Sequence, residues 1–390
     1  MRVYADHGAT TPVDPRVAQA MLPYFSEKFG NASSIHAWGQ EAREAVDRAR
    51  EILAGALGAQ SQEIVFTGGA TEADNFAIIG AALANEHRGK HIITTAVEHH
   101  AVLEPCRFLA SRGFEVTVLP VDRFGRVDPD AVRAALRPDT ILVSVMHANN
   151  EIGTIEPVEA IGELVRGRGA LMHTDAAQTL GLLPLDVKAL SVDLLSMSAH
   201  KRYGPKGVGA LYVRRGTPLA RIQHGGSHEL NRRAGTENVA GIVGFGEAVR
   251  IALEVMHDEA ARLRALRDRL AAGLATIPGA RRNGHPEAAL PGVVNVSFEG
   301  TDSESLLMAL DLRGVAASSG SACTSGSLEP SHVLSAIGLP PELAKGTVRF
   351  SLGRGTTDAD VDYLLEVMPS IVEQVRAVEG AAVHRALRAE

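Results

Sequence analysis

Between Ile64 and Val213, short apolar runs alternate with longer stretches of helical period. Ile64-Val65-Phe66-Thr67, His91 to Thr95, Glu115 to Pro120, Ile141 to Met146, Leu171 to Asp175, Leu194 to Ser198 and Gly209 to Val213 read as strands. Helices are predicted between them: from Gly69 to about Asn85, through Arg112, from Asp128-Pro129, and over Pro157 to Arg168. This repetition restricts the chain to an α/β fold, a mostly parallel sheet with helices on both faces. In such sheets ligands bind beyond the carboxyl ends of the strands. Thr71, His99, Asn150, Asp175, Gln178 and Lys201 all fall there.

The flanks read differently. Asp6 to Pro12 is small and polar, an extended arm or turn, and Asp14-Pro15 opens a helix running to about Phe25. A second helix is expected from about Trp38 to Leu57. Beyond Arg233-Ala234-Gly235-Thr236-Glu237-Asn238, a long helical stretch from Val239 to about Ile277 bridges to a smaller α/β unit. That unit holds Val293 to Phe298, a helix around Ser303 to Leu312, Thr347 to Leu352, and a last helical stretch from Asp358 to Leu387. With 390 residues, the chain is expected to form two domains, or one large domain with a smaller one appended.

A net charge of −7 argues against a nucleic-acid or anionic-membrane surface, and no apolar run reaches membrane-spanning length. The N-terminus lacks a charged-then-apolar signal pattern, so a cytoplasmic location is expected. Two cysteines cannot build a disulfide framework and are too few for an all-cysteine zinc site, so no metal site is expected.

Lys201 directly follows an apolar run and precedes a turn built on Gly204-Pro205 and Gly207. Pinned at the floor of a cleft and stripped of water, such a lysine becomes the amine nucleophile that a Schiff base with pyridoxal phosphate requires. A surface lysine in a hairpin is the alternative. Gly68-Gly69-Ala70-Thr71 at a strand-to-helix turn can offer a phosphate backbone N–H groups and a hydroxyl, although a tight turn needs glycine on steric grounds alone. Asp175 can hold a pyridine nitrogen protonated or simply cap a helix. His99 can lie over a ring and move protons, or be a hydrogen-bonded core histidine. Asn150 and Gln178 can donate to a phenolate oxygen or tie down backbone. Ser198 and His200 can reach a phosphate or bond the local turn. Arg349, on a strand, can grip a carboxylate bidentately or form a structural ion pair.

Cys323 lies in Ala316-Ala317-Ser318-Ser319-Gly320-Ser321-Ala322-Cys323-Thr324-Ser325-Gly326-Ser327, a loop without apolar period. A structural cysteine has bulky apolar neighbours; this one does not, which points to a nucleophile. Cys106, among Leu103, Phe108 and Leu109, reads as core packing.

Taken in order, seven motifs carry a resemblance: Thr67-Gly68-Gly69-Ala70-Thr71-Glu72, Glu98-His99-His100-Ala101-Val102, Asn149-Asn150-Glu151-Ile152-Gly153, Asp175-Ala176-Ala177-Gln178, Ser198-Ala199-His200-Lys201, Arg233 to Asn238, and Ser318 to Cys323. From Tyr4 to about Asp362 the chain resembles the cysteine desulfurases of the class V aminotransferase family, and its long serine-rich cysteine loop resembles the NifS/IscS group. His7 and Gly8 depart from the residues common in the family's amino-terminal motif.

The resemblance implies a fold type I pyridoxal-phosphate enzyme, with a mostly parallel seven-stranded sheet between helices in a large domain over 14–255. A smaller α/β domain over 1–13 and 256–390 would carry the cysteine loop at about 316–330. It implies conversion of L-cysteine to L-alanine, with the sulfur passing to Cys323 as a persulfide. Lys201 would bind the cofactor covalently, Asp175 would face its ring nitrogen, His99 would stack on the ring, and Asn150 and Gln178 would contact the ring's substituents. Ala70, Thr71, Ser198 and His200 would hold the phosphate, helped by Thr236 from the neighbouring subunit of a homodimer. Arg349, with Asn31 and Asn150, would bind the substrate. A sulfur-acceptor protein is implied as partner, in iron–sulfur cluster assembly or in tRNA or cofactor thiolation. A selenocysteine lyase or another class V lyase or aminotransferase is the alternative, and a non-catalytic scaffold is opposed by intact Lys201, His99 and Asp175.

Overall fold

The computed structural model of the chain describes residues 1–319 and 331–386. The chain opens with a short strand, β1 (Val3–Tyr4), then α1 (Pro15–Met21), α2 (Pro23–Ser26) and α3 (Ala37–Ala56). The helix expected from Asp14 to Phe25 is thus two helices. Pro23 has no N–H to continue the ladder and starts a new first turn instead. Asp14 caps the first, its side chain accepting from the Arg16 N–H.

The alternating region follows as β2 (Ile64–Thr67), α4 (Ala70–Asn85), β3 (His91–Thr95), α5 (His100–Ser111), β4 (Glu115–Leu119), α6 (Pro129–Ala135), β5 (Thr140–Ser144), α7 (Val158–Arg166), β6 (Leu171–Asp175), β7 (Leu194–Ser198) and β8 (Gly209–Val213). These strands form one seven-stranded sheet in the order β2-β8-β7-β6-β5-β3-β4. Neighbours from β7 through β4 are parallel; β8 alone runs against both its partners. The segment between β7 and β8 is too short for the crossover that a parallel pair needs, so the chain turns straight back.

All of these strands but the edge strand β4 bury both faces, which is why most of the runs lack a strict alternation of apolar and polar residues. Ile64, Phe66, Leu195 and Met197 join the core shared with α3, α6 and α7, while Val65, Leu194 and Leu211 join the core under α4 and α5. Cys106 is buried in the second of these.

The remaining elements are α8 (Val239–Leu274), β9 (Ala280–Asn283), β10 (Val293–Phe298), α9 (Ser303–Leu312), β11 (Val315–Ala316), α10 (His332–Ala336), α11 (Pro341–Ala344), β12 (Thr347–Ser351) and α12 (Asp358–Ala386). β12, β10 and β9 make an antiparallel sheet, and β11 pairs with β1. One helix serves two cores: Ile242, Phe245 and Val249 of α8 pack with the large sheet, and Leu263, Leu266, Leu270 and Leu274 pack under β10 and β12. β9, Ala-Arg-Arg-Asn, carries no apolar signal because it is an edge strand held by its ladder to β10.

Candidate active site

At the carboxyl ends of the parallel strands lies a cavity of about 720 Å³. β2 delivers the chain to Gly68 and Gly69, where α4 begins; a Cβ on Gly209 would meet the Gly69 Cα at 2.8 Å, so only glycine lets this turn sit down on β8. The first turn of α4, Ala70 and Thr71, faces the cavity with the N–H groups that a helix start leaves without intrahelical partners. Across from it, at the end of β7, the Ser198 Oγ is buried with no hydrogen-bond partner among the described residues. His200 follows, its Nδ1 3.1 Å from the Thr10 Oγ1. Burial first, then the Lys201 and Lys206 charges, push its pKa down to about 4, so it is neutral at pH 7.

Lys201 Nζ donates to the Gly8 carbonyl at 2.5 Å and the Ala9 carbonyl at 2.9 Å. The polar arm thereby closes one side of the cavity. Gln178 Nε2 donates to the same Gly8 carbonyl at 3.3 Å.

Asp175 ends β6, and its Oδ1 accepts from the Ala177 N–H at 2.8 Å. Burial, with Asp74 as the next contributor, lifts its pKa to about 6. His99 caps α5, its Nδ1 accepting from the Ala101 N–H at 3.1 Å. That bond puts the proton of the neutral ring on Nε2. Burial lowers the His99 pKa. Arg349 enters from β12, donating to the Asn150 carbonyl at 2.9 Å and paired with the Asp6 carboxylate at 2.8 Å.

The structure therefore brings Ala70, Thr71, His99, Asn150, Asp175, Gln178, Ser198, His200, Lys201 and Arg349 to one cavity wall. Thr236 is elsewhere, on a second cavity of about 110 Å³ that shares Gly68, Gly207 and Val208 with the first. Asn31 sits on an exposed loop, where its Oδ1 accepts from the Ser33 N–H at 2.9 Å. Cys323 lies outside the described residues.

Other lining residues, Asp74, His100 and His332, are given no role by the sequence alone. Asp74 projects from the sheet-facing side of α4; a carboxylate at that helical position among alanines and a phenylalanine is the signal that exposes it. His100 and His332 line the mouth with ring centroids 4.9 Å apart. His332 has no local signature in the sequence.

The donor set suits a planar, phosphorylated aldehyde. A hydroxyl unpartnered among the described residues, a helix start, a buried carboxylate and a lysine amine line the same cavity. Burying such polar groups is costly unless a ligand satisfies them.

The chain is similar to known proteins over nearly its whole length. The aminotransferase class-V family matches residues 3–364. A protein named cysteine desulfurase IscS from Dictyoglomus turgidum is 55% identical over 377 residues, covering 96% of each chain. Its namesake from Methanosarcina thermophila is 54% identical, covering 96% of this chain and 93% of its own. A solved NifS-like protein superposes with a TM-score of 0.90 at 40% identity, covering 96% of this chain and all of its own.

Proposed function

This chain belongs to the class V aminotransferase family, among its pyridoxal-phosphate-dependent cysteine desulfurases, and we propose that it works through Lys201, Asp175, His99, Arg349 and Cys323. The reaction converts L-cysteine to L-alanine and hands on the sulfur. The observation that carries the residue assignment is that an amine, a buried carboxylate, an imidazole and a guanidinium from four distant segments share one cavity.

Pyridoxal phosphate, when bound, supplies a conjugated ring that takes up the electron pair released at the α-carbon of the amino acid. Ala70, Thr71 and the Ser198 hydroxyl would hold its phosphate, with His200 beside them. Lys201 Nζ would hold it covalently, and Asp175 would keep a proton on its ring nitrogen. Gln178 and Asn150 would fix the ring's substituents.

The guanidinium of Arg349, aimed by Asp6 and the Asn150 carbonyl, would receive the substrate carboxylate, with Asn31 as a helper from another part of the assembly. His99, with Nδ1 tied to backbone, would exchange protons through Nε2. Lys201 Nζ would take the α-proton. Cys323, as thiolate, would form an S–S bond to the substrate sulfur as the C–S bond breaks, leaving a persulfide on Cys323.

The same reading makes the enzyme a homodimer in which Thr236 serves the neighbouring subunit's phosphate site. Exposed Ile35, Trp38 and Leu230 support it, gathered where Ser33 Oγ and His228 Nδ1 meet at 3.2 Å. A division into domains over 14–255 and over 1–13 with 256–390 fits the two cores that α8 joins. Among the described residues no helix is long and apolar enough to cross a membrane, and we place the enzyme in the cytoplasm. The sulfur would go to an acceptor protein in iron–sulfur cluster assembly or in tRNA or cofactor thiolation.

Alanine and sulfide release from L-cysteine under reductant tests the assignment. Cys323→Ala should form neither while keeping the visible absorbance of bound cofactor. Equal activity in that variant would remove Cys323 from the reaction and make selenocysteine the next substrate to assay.

A further inference from the structure

Behind Asp175 the core holds a strip of polar side chains that the chemistry above leaves unused. In β6, Met172 turns to the α3 side of the sheet and Leu171 to the α4 side, so His173 and Asp175 face α4 together. His173 Nδ1 is 2.8 Å from the Ser144 Oγ on β5, and its Nε2 is 3.0 Å from the Ser196 Oγ on β7. From α4 comes Asp74, with Oδ1 3.5 Å from that same Nε2. Asp74, His173, Ser144 and Ser196 are all fully buried, and Phe76, Ala77, Leu142 and Leu194 surround them.

Neither oxygen of Asp74 has a hydrogen bond of good geometry among the described residues, although the Ser196 hydroxyl stands beside it. Burying a carboxylate without a cation costs several kcal/mol, of order the stability of many domains. Neighbouring sheet-facing positions of α4 are Ala73, Phe76, Ala77 and Ala81, so packing alone would favour an apolar residue. Asp74 also reaches the floor of the cavity that holds Asp175. A polar strip that dead-ends in the core but opens on the active site points to the site.

We propose that Asp74 is a positioning residue that acts on the cofactor through Asp175: a second carboxylate, held out of water behind the first, whose negative charge helps keep the proton on the ring nitrogen. The inference rests on the reading of Asp175 as that nitrogen's partner. Few groups compete for this field. β6 contributes Asp175 and His173, and α5 contributes Cys106 and, at its start, His99. Just before it stands the fully buried Glu98, whose pKa burial raises well above the ordinary carboxyl value, with Asp175 adding to the rise. β2, β5 and β7 turn apolar or hydroxyl side chains this way, and Tyr212 of β8 belongs to the opposite core. Burial lifts the Asp74 carboxyl to about 7 and lowers the His173 imidazole to about 4, so the histidine is neutral at pH 7 while Asp74 takes up its negative charge as pH rises through about 7.

The test is a pH titration of the visible band of the holoenzyme in wild type, Asp74→Asn and Asp175→Asn. Removing a nearby negative charge favours the deprotonated chromophore, so Asp74→Asn should move the midpoint down by about 0.5 to 1 pH unit. kcat should fall while KM for L-cysteine stays within about twofold. A purely structural role would change cofactor occupancy or melting temperature and leave the midpoint in place.

The apoprotein gives an independent reading. The folded state holds the Asp74 proton more tightly than the unfolded chain, so wild type loses stability as pH rises from the ordinary carboxyl range through about 7. The Tm advantage of Asp74→Asn over wild type should therefore grow between pH 5 and pH 8.5. Should that variant fail to load cofactor, this apoprotein comparison, repeated in Asp74→Ser, decides. An unmoved midpoint in loaded Asp74→Asn, or parallel Tm curves where loading fails, overturns the proposal. An unmoved midpoint in Asp175→Asn would instead overturn the placement of Asp175 at the ring nitrogen.

Discussion

Asp6 Oδ1 and Arg349 Nη2 meet at 2.8 Å although 343 residues separate them in sequence. The arm after β1 is carried there because β1 pairs with β11 and Asp6 bridges to Ser351 of β12. Arg349 is almost fully buried, so the carboxylate both balances its charge and aims its guanidinium into the cavity wall.

Weakening that pair should show first in substrate recognition. Asp6→Asn keeps the guanidinium but loosens its direction, so KM for L-cysteine should rise about 3- to 10-fold with kcat within about twofold. Arg349→Lys loses the planar fork and should raise KM by about tenfold or more. Steady-state kinetics on both variants check this; an unchanged KM in both would remove Arg349 from carboxylate binding.

Ser198 offers a separation of binding from folding. Its buried hydroxyl has no partner among the described residues, and an unsatisfied buried hydroxyl costs about 1–3 kcal/mol. Ser198→Ala should therefore leave the apoprotein as stable as wild type or more so. The same change should weaken pyridoxal phosphate binding by about tenfold, the worth of one charge-assisted hydrogen bond. Thermal unfolding without cofactor and absorbance titration with it should move in opposite directions.

The acid side of the stability curve should answer to buried histidines. Burial alone pushes the His147 pKa down to about 4 while its Nδ1 stays 2.9 Å from the Thr179 Oγ1. The unfolded chain therefore binds this proton more tightly than the folded one. Stability that is complete above the ordinary histidine value drains away as pH falls from about 6.5 toward 4. In the apoprotein, His147→Gln should show a shallower fall of Tm between pH 6.5 and 4 than wild type. Parallel curves would assign the acid limb to other groups.

Periodicity alone made much of the fold legible. Continuous apolar runs marked strands buried on both faces, and polar residues at their carboxyl ends marked the rim, because side-chain direction and burial are written locally in a two-residue repeat. Lys201, Asp175, His99 and Ser198 were visible on that ground, as was Cys106 as a core thiol. The charged edge strand β9 and the break before Pro23 were not, since ladder pairing and first-turn geometry outweighed the local pattern there.

Only tertiary structure decided which distant groups meet. The arm's Gly8 and Ala9 carbonyls on Lys201, the Asp6–Arg349 pair and His332 at the cavity mouth all depend on strand order and on α8 joining two cores. Asp74 was one of two carboxylates on a helix until α4 packed on β6 and set it behind Asp175. The sequence by itself determined which segments could be strands and helices and which residue types stand at their ends. Which of those ends share a cavity, and how water is kept from the charges there, came from long-range packing, because contacts across hundreds of residues leave no local period to read.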